Sequence, residues 1–175
     1  MKFKTIIKPL FIILVTLGIT SCNEKTESKV EIVKNANLIP IGIFNFDNKQ
    51  QLAQYNKLNL DKTHPNLVNP KISKSDYNSV MKSWTDLHQR IGTYLSENRF
   101  NWETEDNSIN IIHKIYFKPN GEIENYFFNV LTKNVTKEKK ERFANLISDF
   151  AMDNRIDYKK EGNFAQCGKT KYLNK

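Results

Sequence analysis

Two cysteines in 175 residues, Cys22 and Cys167, are too few for a disulfide framework. Histidine is almost as scarce. His64, His88 and His113 stand far apart in the chain and no His-Glu-x-x-His pattern occurs, so no local metal site is encoded and none is expected. The Asp-x-Asp-x-Asp-Gly order of a calcium loop is missing, as is a Gly-x-Ser-x-Gly nucleophile elbow. Gly168-Lys169-Thr170 matches the end of a phosphate-binding loop and lacks its beginning: the motif needs glycine at position 163, which is Asn, and Gly162 comes one residue too early. These absences exclude the local signatures of metal, nucleotide and serine-hydrolase chemistry, and no cofactor is expected. A catalytic set assembled from distant positions stays open.

Long hydrophobic runs are lacking too. The longest, Leu10–Ile19, is ten residues with Thr16 inside it, short of the about 20 apolar residues that cross a bilayer. It follows Lys2, Lys4 and Lys8 and precedes Thr20-Ser21-Cys22, the order of a secretion signal. The step Ile19-Thr20-Ser21-Cys22 resembles the lipobox of bacterial lipoproteins. That resemblance implies a diacylglycerol on the Cys22 thiol, removal of residues 1–21 and acylation of the new amino terminus, so that the membrane is a partner through lipid. Asn23 in place of Asp after the cysteine implies, by similarity to enteric lipoproteins, sorting to the outer membrane of the cell envelope. Cys167 would then be the only thiol. It could serve as a nucleophile, a redox sensor or an intermolecular bridge, but a simply buried residue is the preferred reading.

A large charge of one sign is also absent once the signal is set aside. The formal +8 loses three lysines and no acids, leaving 24 basic against 19 acidic residues, or +5. So mild a balance favours solubility and does not by itself imply nucleic acid, which is not expected as a partner. Residues 22–37 read as lipidated cysteine plus a polar tether, Asn-Glu-Lys-Thr-Glu-Ser-Lys and a brief Val-Glu-Ile-Val, able to span roughly 50 Å when extended. Residues 38–175 are long enough for a single domain with its own core.

Within that domain Leu38–Phe46 is expected to form a short edge strand, because Pro40 cannot donate to a ladder. A short helix is expected near Gln50–Lys57. Over Ser75–Asn98, Tyr77, Val80, Met81, Trp84, Leu87, Ile91, Tyr94 and Leu95 recur at spacings of three and four, one face of a helix with Ser73 or Ser75 as N-cap. Ile109–Lys118 and Glu122–Leu131 flank Pro119-Asn120-Gly121 as a hairpin. Pairing Lys118 with Glu122 sets Phe117 opposite Ile123, Ile115 opposite Asn125 and His113 opposite Phe127. The core face would then hold Ile109, Ile111, Ile115, Phe117, Ile123, Phe127 and Leu131. The other face, polar near the turn, keeps Ile112, Phe128 and Val130, and the 38–46 segment is the natural cover for it. A second helix over Lys137–Asn154, capped by Thr136, and a last strand over Asn163–Leu173 complete the pattern. The result is an α+β fold: a small antiparallel sheet with two main helices on one face. The element order over residues 75–173 loosely resembles the periplasmic C-terminal domains of the TonB and TolA type, an architectural likeness that implies no transport role.

Few residues offer chemistry. Trp102 with Glu103, Glu105 and Asp106 could bind a cation or a sugar, with the indole as a stacking platform; the alternative is a solvated loop whose tryptophan anchors the helix-to-strand turn. His113 falls on the apolar row of its strand, where a hydrogen-bonded core histidine is commoner than a ligand. His88 sits at the margin of the helix stripe, and His64 precedes Pro65 in a loop. Together these features point to a lipid-anchored envelope protein that binds a protein or envelope polymer without catalysis. An envelope hydrolase with a dispersed site, or an inhibitor or immunity protein, are the alternatives.

Overall fold

The computed structural model describes residues 41–174. The readings placed on residues 1–40, namely the signal, Cys22, the tether and Pro40, lie outside the described residues. From Gly42 the chain forms β1 (Gly42–Asn45), α1 (Lys49–Leu58), a four-residue helical turn α2 (Pro70–Ser73), α3 (Tyr77–Glu97), β2 (Ser108–Phe117), β3 (Ile123–Val130), α4 (Lys137–Asp153) and β4 (Phe164–Leu173). The strands lie in the order β1-β3-β2-β4. β2 pairs antiparallel with both β3 and β4. β1 joins the edge of β3 in parallel, through a crossover long enough to hold three helices, so the α+β sheet is mixed.

Local chemistry explains the helix ends. Asn48 caps α1 by accepting from the amides of Gln50 and Gln51 at 3.1 and 3.2 Å. Thr136 caps α4 by accepting from the Lys139 amide at 3.3 Å. α3 departs from expectation: neither Ser73 nor Ser75 caps it. A 3₁₀ turn over Lys74–Asp76 feeds straight into it, Asp76 holds the N-cap position without a side-chain bond to the helix amides, and the Ser73 hydroxyl is spent on the Asn69 carbonyl.

The core lies between the sheet and the two long helices. Val80, Trp84, Leu87, Ile91 and Leu95 of α3, with Phe143, Ile147 and Phe150 of α4, cover Ile109, Ile111, Ile115 and Phe117 of β2. Each fully buried side chain of this size stabilises by roughly 1.5–3 kcal/mol. The hairpin turn keeps its expected form, with Lys118 donating to the Glu122 carbonyl at 2.9 Å and Gly121 at a φ of 85°.

The register beyond the turn does not keep it. Phe117 faces Ile123 but Tyr116 faces Asn125, so Glu124 is an extra residue, a β-bulge. Every later pair moves by one: Ile115 faces Tyr126 and His113 faces Phe128. A one-residue slip exchanges the faces of a strand. The core row of β3 is therefore Ile123, Tyr126, Phe128 and Val130, all buried, while Phe127 turns to the opposite face and Leu131 is left exposed.

That opposite face is covered by α1 and the loop after it; within the expected 38–46 segment, Gly42–Asn45 are engaged at the sheet edge as β1 and do not cover the face. Tyr55 stacks on Phe127 with ring centroids 4.4 Å apart and also meets Phe44 and Tyr116. Its hydroxyl lies 2.5 Å from that of Tyr116, which donates to Asp61 at 2.8 Å; Lys114 pairs with the other oxygen of Asp61. Burial pushes the Asp61 carboxyl up, but the bonds from Lys114 and Tyr116 outweigh it and hold its pKa below the usual range. His64 closes the far side of the cluster, 3.0 Å from Glu124. The bulged residue is thus what reaches the loop.

Candidate groove between the long helix and the last strand

Glycine at position 168 sets how closely α3 can approach β4. A Cβ there would stand 3.1 Å from Trp84 Cζ2, so its absence lets the indole lie directly on the strand. Further along, Gly92 of α3 faces the Tyr172 ring. Between helix and strand runs an open groove of about 630 Å³, bounded by Trp84, His88, Gly92 and Thr93 on the helix side, by Thr170 to Leu173 on the strand side, and closed at one end by Phe100 and Trp102.

Beneath it the polar side chains form two short runs of hydrogen bonds. Tyr126 Oη lies 2.7 Å from His113 Nδ1, and His113 Nε2 lies 2.7 Å from Thr170 Oγ1. Separately, the Tyr172 hydroxyl lies 2.6 Å from His88 Nδ1. The imidazoles of His88 and His113 stand with centroids 4.6 Å apart. Burial lowers the His88 pKa to about 3, and burial together with His88 pushes that of His113 well down. Burial also raises the Tyr126 and Tyr172 hydroxyls. All four groups are therefore neutral near pH 7.

Neutrality fixes the direction of donation. If Tyr126 donates to His113 Nδ1, then His113 Nε2–H donates to Thr170 Oγ1; in the second run Tyr172 donates to His88 Nδ1. Only His88 Nε2–H is then left without a partner among the described residues. The reverse order strands the Tyr126 and Tyr172 hydroxyl protons in the core, and an unmet buried donor costs about 1–3 kcal/mol. The forward order wins. It makes His88, a residue lining the groove, a donor at Nε2.

The sheet edge beside the groove is half occupied. Ala165 donates to the Pro65 carbonyl at 3.0 Å and accepts from the Leu67 amide at 2.8 Å, and the Cys167 amide donates to Asn66 Oδ1. Backbone groups alternate along an antiparallel strand, so those of Lys169, Lys171 and Leu173 face outward on the same edge. They have no hydrogen-bond partner among the described residues. This open half is the stretch that borders the groove.

The sequence-derived candidates are distributed differently. Trp102 is buried, its ring 4.8 Å from Phe100 and 5.0 Å from Phe143, and it belongs to the end wall of the groove. Glu103, Glu105 and Asp106 line a separate shallow recess with Thr104 and Asn134, and Glu103 is paired with Lys139. The indole and the carboxylates therefore do not share a site. Among the described residues no three of His, Cys, Asp and Glu stand where they could hold one metal ion. Cys167 is half-buried beside Lys114; burial pushes its thiol up, against a smaller downward pull from Lys114, so it is not an activated nucleophile. Thr170, Tyr172 and Tyr126 were missed as partners of the histidines. Their signal was faint: Gln166 and Thr170 are polar residues on the inward row of β4.

A small α+β domain with a groove along a partly open sheet edge is the class these features define. Comparison with known proteins gave no match to a family model, to a curated protein or to a solved structure.

Proposed function

We propose that the chain is a lipid-anchored protein of the cell envelope, held at the outer membrane through Cys22. On this reading residues 38–175 form a non-catalytic module that binds a protein or envelope polymer in the α3–β4 groove. The observation that carries the binding half is the coincidence of that groove with the unpaired half of β4. Apolar walls supply contact, and the edge supplies free backbone donors and acceptors, the pairing on which strand-adding domains rely. The neutral histidines beneath the groove fit a fixed polar spine better than an acid–base pair, since a group titrating near pH 3 is poorly matched to proton transfer at neutral pH.

A photo-crosslinking residue placed in intact cells at Gln89 or Thr93, both on the groove wall, tests this reading. The same residue at exposed Met152 of α4 is the control. Discrete adducts from Gln89 and Thr93 that are missing from Met152 are expected. An identical adduct pattern from all three sites would remove the groove as the binding surface.

A further inference from the structure

We propose that the open half of β4 takes an extended segment of another protein, one that alternates acidic and apolar residues and adds to the sheet as a fifth strand. The inference rests on the groove reading above and names the chemistry of the occupant.

The edge already accepts such a neighbour over its first half, where residues 65–67 bond Ala165 in parallel fashion. Past Cys167 that neighbour stops. The outward groups of Lys169, Lys171 and Leu173 continue the same row and can receive another chain. Side chains of β4 alternate: Thr170 and Tyr172 lie on the α3 side, in register with Ile111 and Ile109, while Lys169 and Lys171 lie on the other side. An added strand must follow the same alternation. One row of its side chains would enter the groove between α3 and β4, against Trp84, Gly92, Phe100 and Trp102, where apolar residues fit. The other row would lie beside Lys169 and Lys171, both without a salt bridge among the described residues. Carboxylates on that row would meet opposite charge across the strand pair.

Edge lysines ordinarily discourage pairing, and that use is compatible with this one. Against a second copy of β4 they would set lysine beside lysine. Against an acidic strand the sign reverses, so the same two residues reject the copy and select the partner. Leu173, 72% exposed at the end of the open stretch, offers further apolar area to the incoming chain.

The test uses purified full-length protein in detergent and an eight-residue peptide of alternating glutamate and valine. Its controls are a lysine–valine peptide of the same pattern and a Glu₄Val₄ peptide with its residues in blocks. The alternating acidic peptide should bind and slow amide exchange at Lys169, Lys171 and Leu173 about tenfold or more, and neither control should do so. Lys171→Ala removes a charge but keeps the outward amide; Lys171→Pro removes both, and because that amide faces away from β2 the ladder with β2 survives. The proline variant should bind about tenfold more weakly than the alanine variant, the loss expected for one hydrogen bond. Lys169→Glu with Lys171→Glu should exchange the preference toward the lysine peptide. Equal binding by the Ala and Pro variants, equal binding of the block peptide, or protection of amides elsewhere would each overturn the proposal. So would self-association through β4 in sedimentation. Groove-specific crosslinks in cells without peptide binding would sink strand addition and leave the binding reading in place.

Discussion

His88 and His113 give the domain a definite response to acid. Both are buried and neutral when folded, with pKa values depressed from the usual 6.5 or so, His88 to about 3. In the unfolded chain they titrate normally. A basic group with a lowered folded pKa leaves stability intact above its unfolded pKa and erodes it as pH falls, here from about 6.5 toward 3 for His88. Each histidine contributes up to about 1.4 kcal/mol of loss per pH unit in that window. The groups that bear on the pair are Tyr126, Thr170 and Tyr172, all uncharged there, so nothing local offsets the effect. Urea midpoints between pH 7 and 5 should fall accordingly. His88→Phe should start lower, because Tyr172 loses its acceptor, yet fall with a slope reduced by about one proton. An unchanged slope would show that His88 is not the titrating group.

Gly121 and Glu124 decide the middle of the sheet at the scale of elements. Gly121 sits at a φ of 85°, and a Cβ on it would stand 2.5 Å from the Ile156 carbonyl, which belongs to the segment that returns from α4 to β4. Gly121→Ala should therefore destabilise by about 1–3 kcal/mol through backbone strain and the displaced segment, measured by denaturant unfolding. The periodicities of α3, α4 and the strands were plain in the sequence because each long element buries one face, and burial writes its period into the residues. The bulge was not. The unbulged row sets Asn125 and Asn129 in the core beside Phe127, whereas the bulge buries Tyr126, Phe128 and Val130 and leaves Phe127 to stack on Tyr55 across the sheet; reading the row from Phe127 alone hid that difference. The groove was equally hidden. His88, Thr170 and Tyr172 meet only when α3 lies on β4, a contact about eighty residues apart in sequence. Glu103, Glu105 and Asp106 were conspicuous because they are consecutive or nearly so, and proximity in sequence proved a poor guide to shared chemistry with Trp102.

At the scale of the whole molecule, the proposed anchor at Cys22 and the core of the described residues fall in different parts of the chain, and that separation can be tested. Among the described residues the core runs from Phe44 to Tyr172, and no helix is long and apolar enough to cross a membrane. Cys167 has no disulfide partner among them, so burial of side chains rather than a covalent link holds the sheet to its helices. If Cys22 serves only as the lipid attachment, Cys22→Ala should abolish incorporation of labelled fatty acid and shift the protein out of the detergent-extracted membrane fraction. Its unfolding midpoint in detergent should match that of the parent within about 0.5 kcal/mol, the range of substitutions that touch no core or cap. Fatty acid still entering the variant would defeat the anchor assignment. A loss of stability well beyond that range would instead mean that the region around Cys22 contributes to the fold, and binding at the β4 edge would then have to be measured with that region intact.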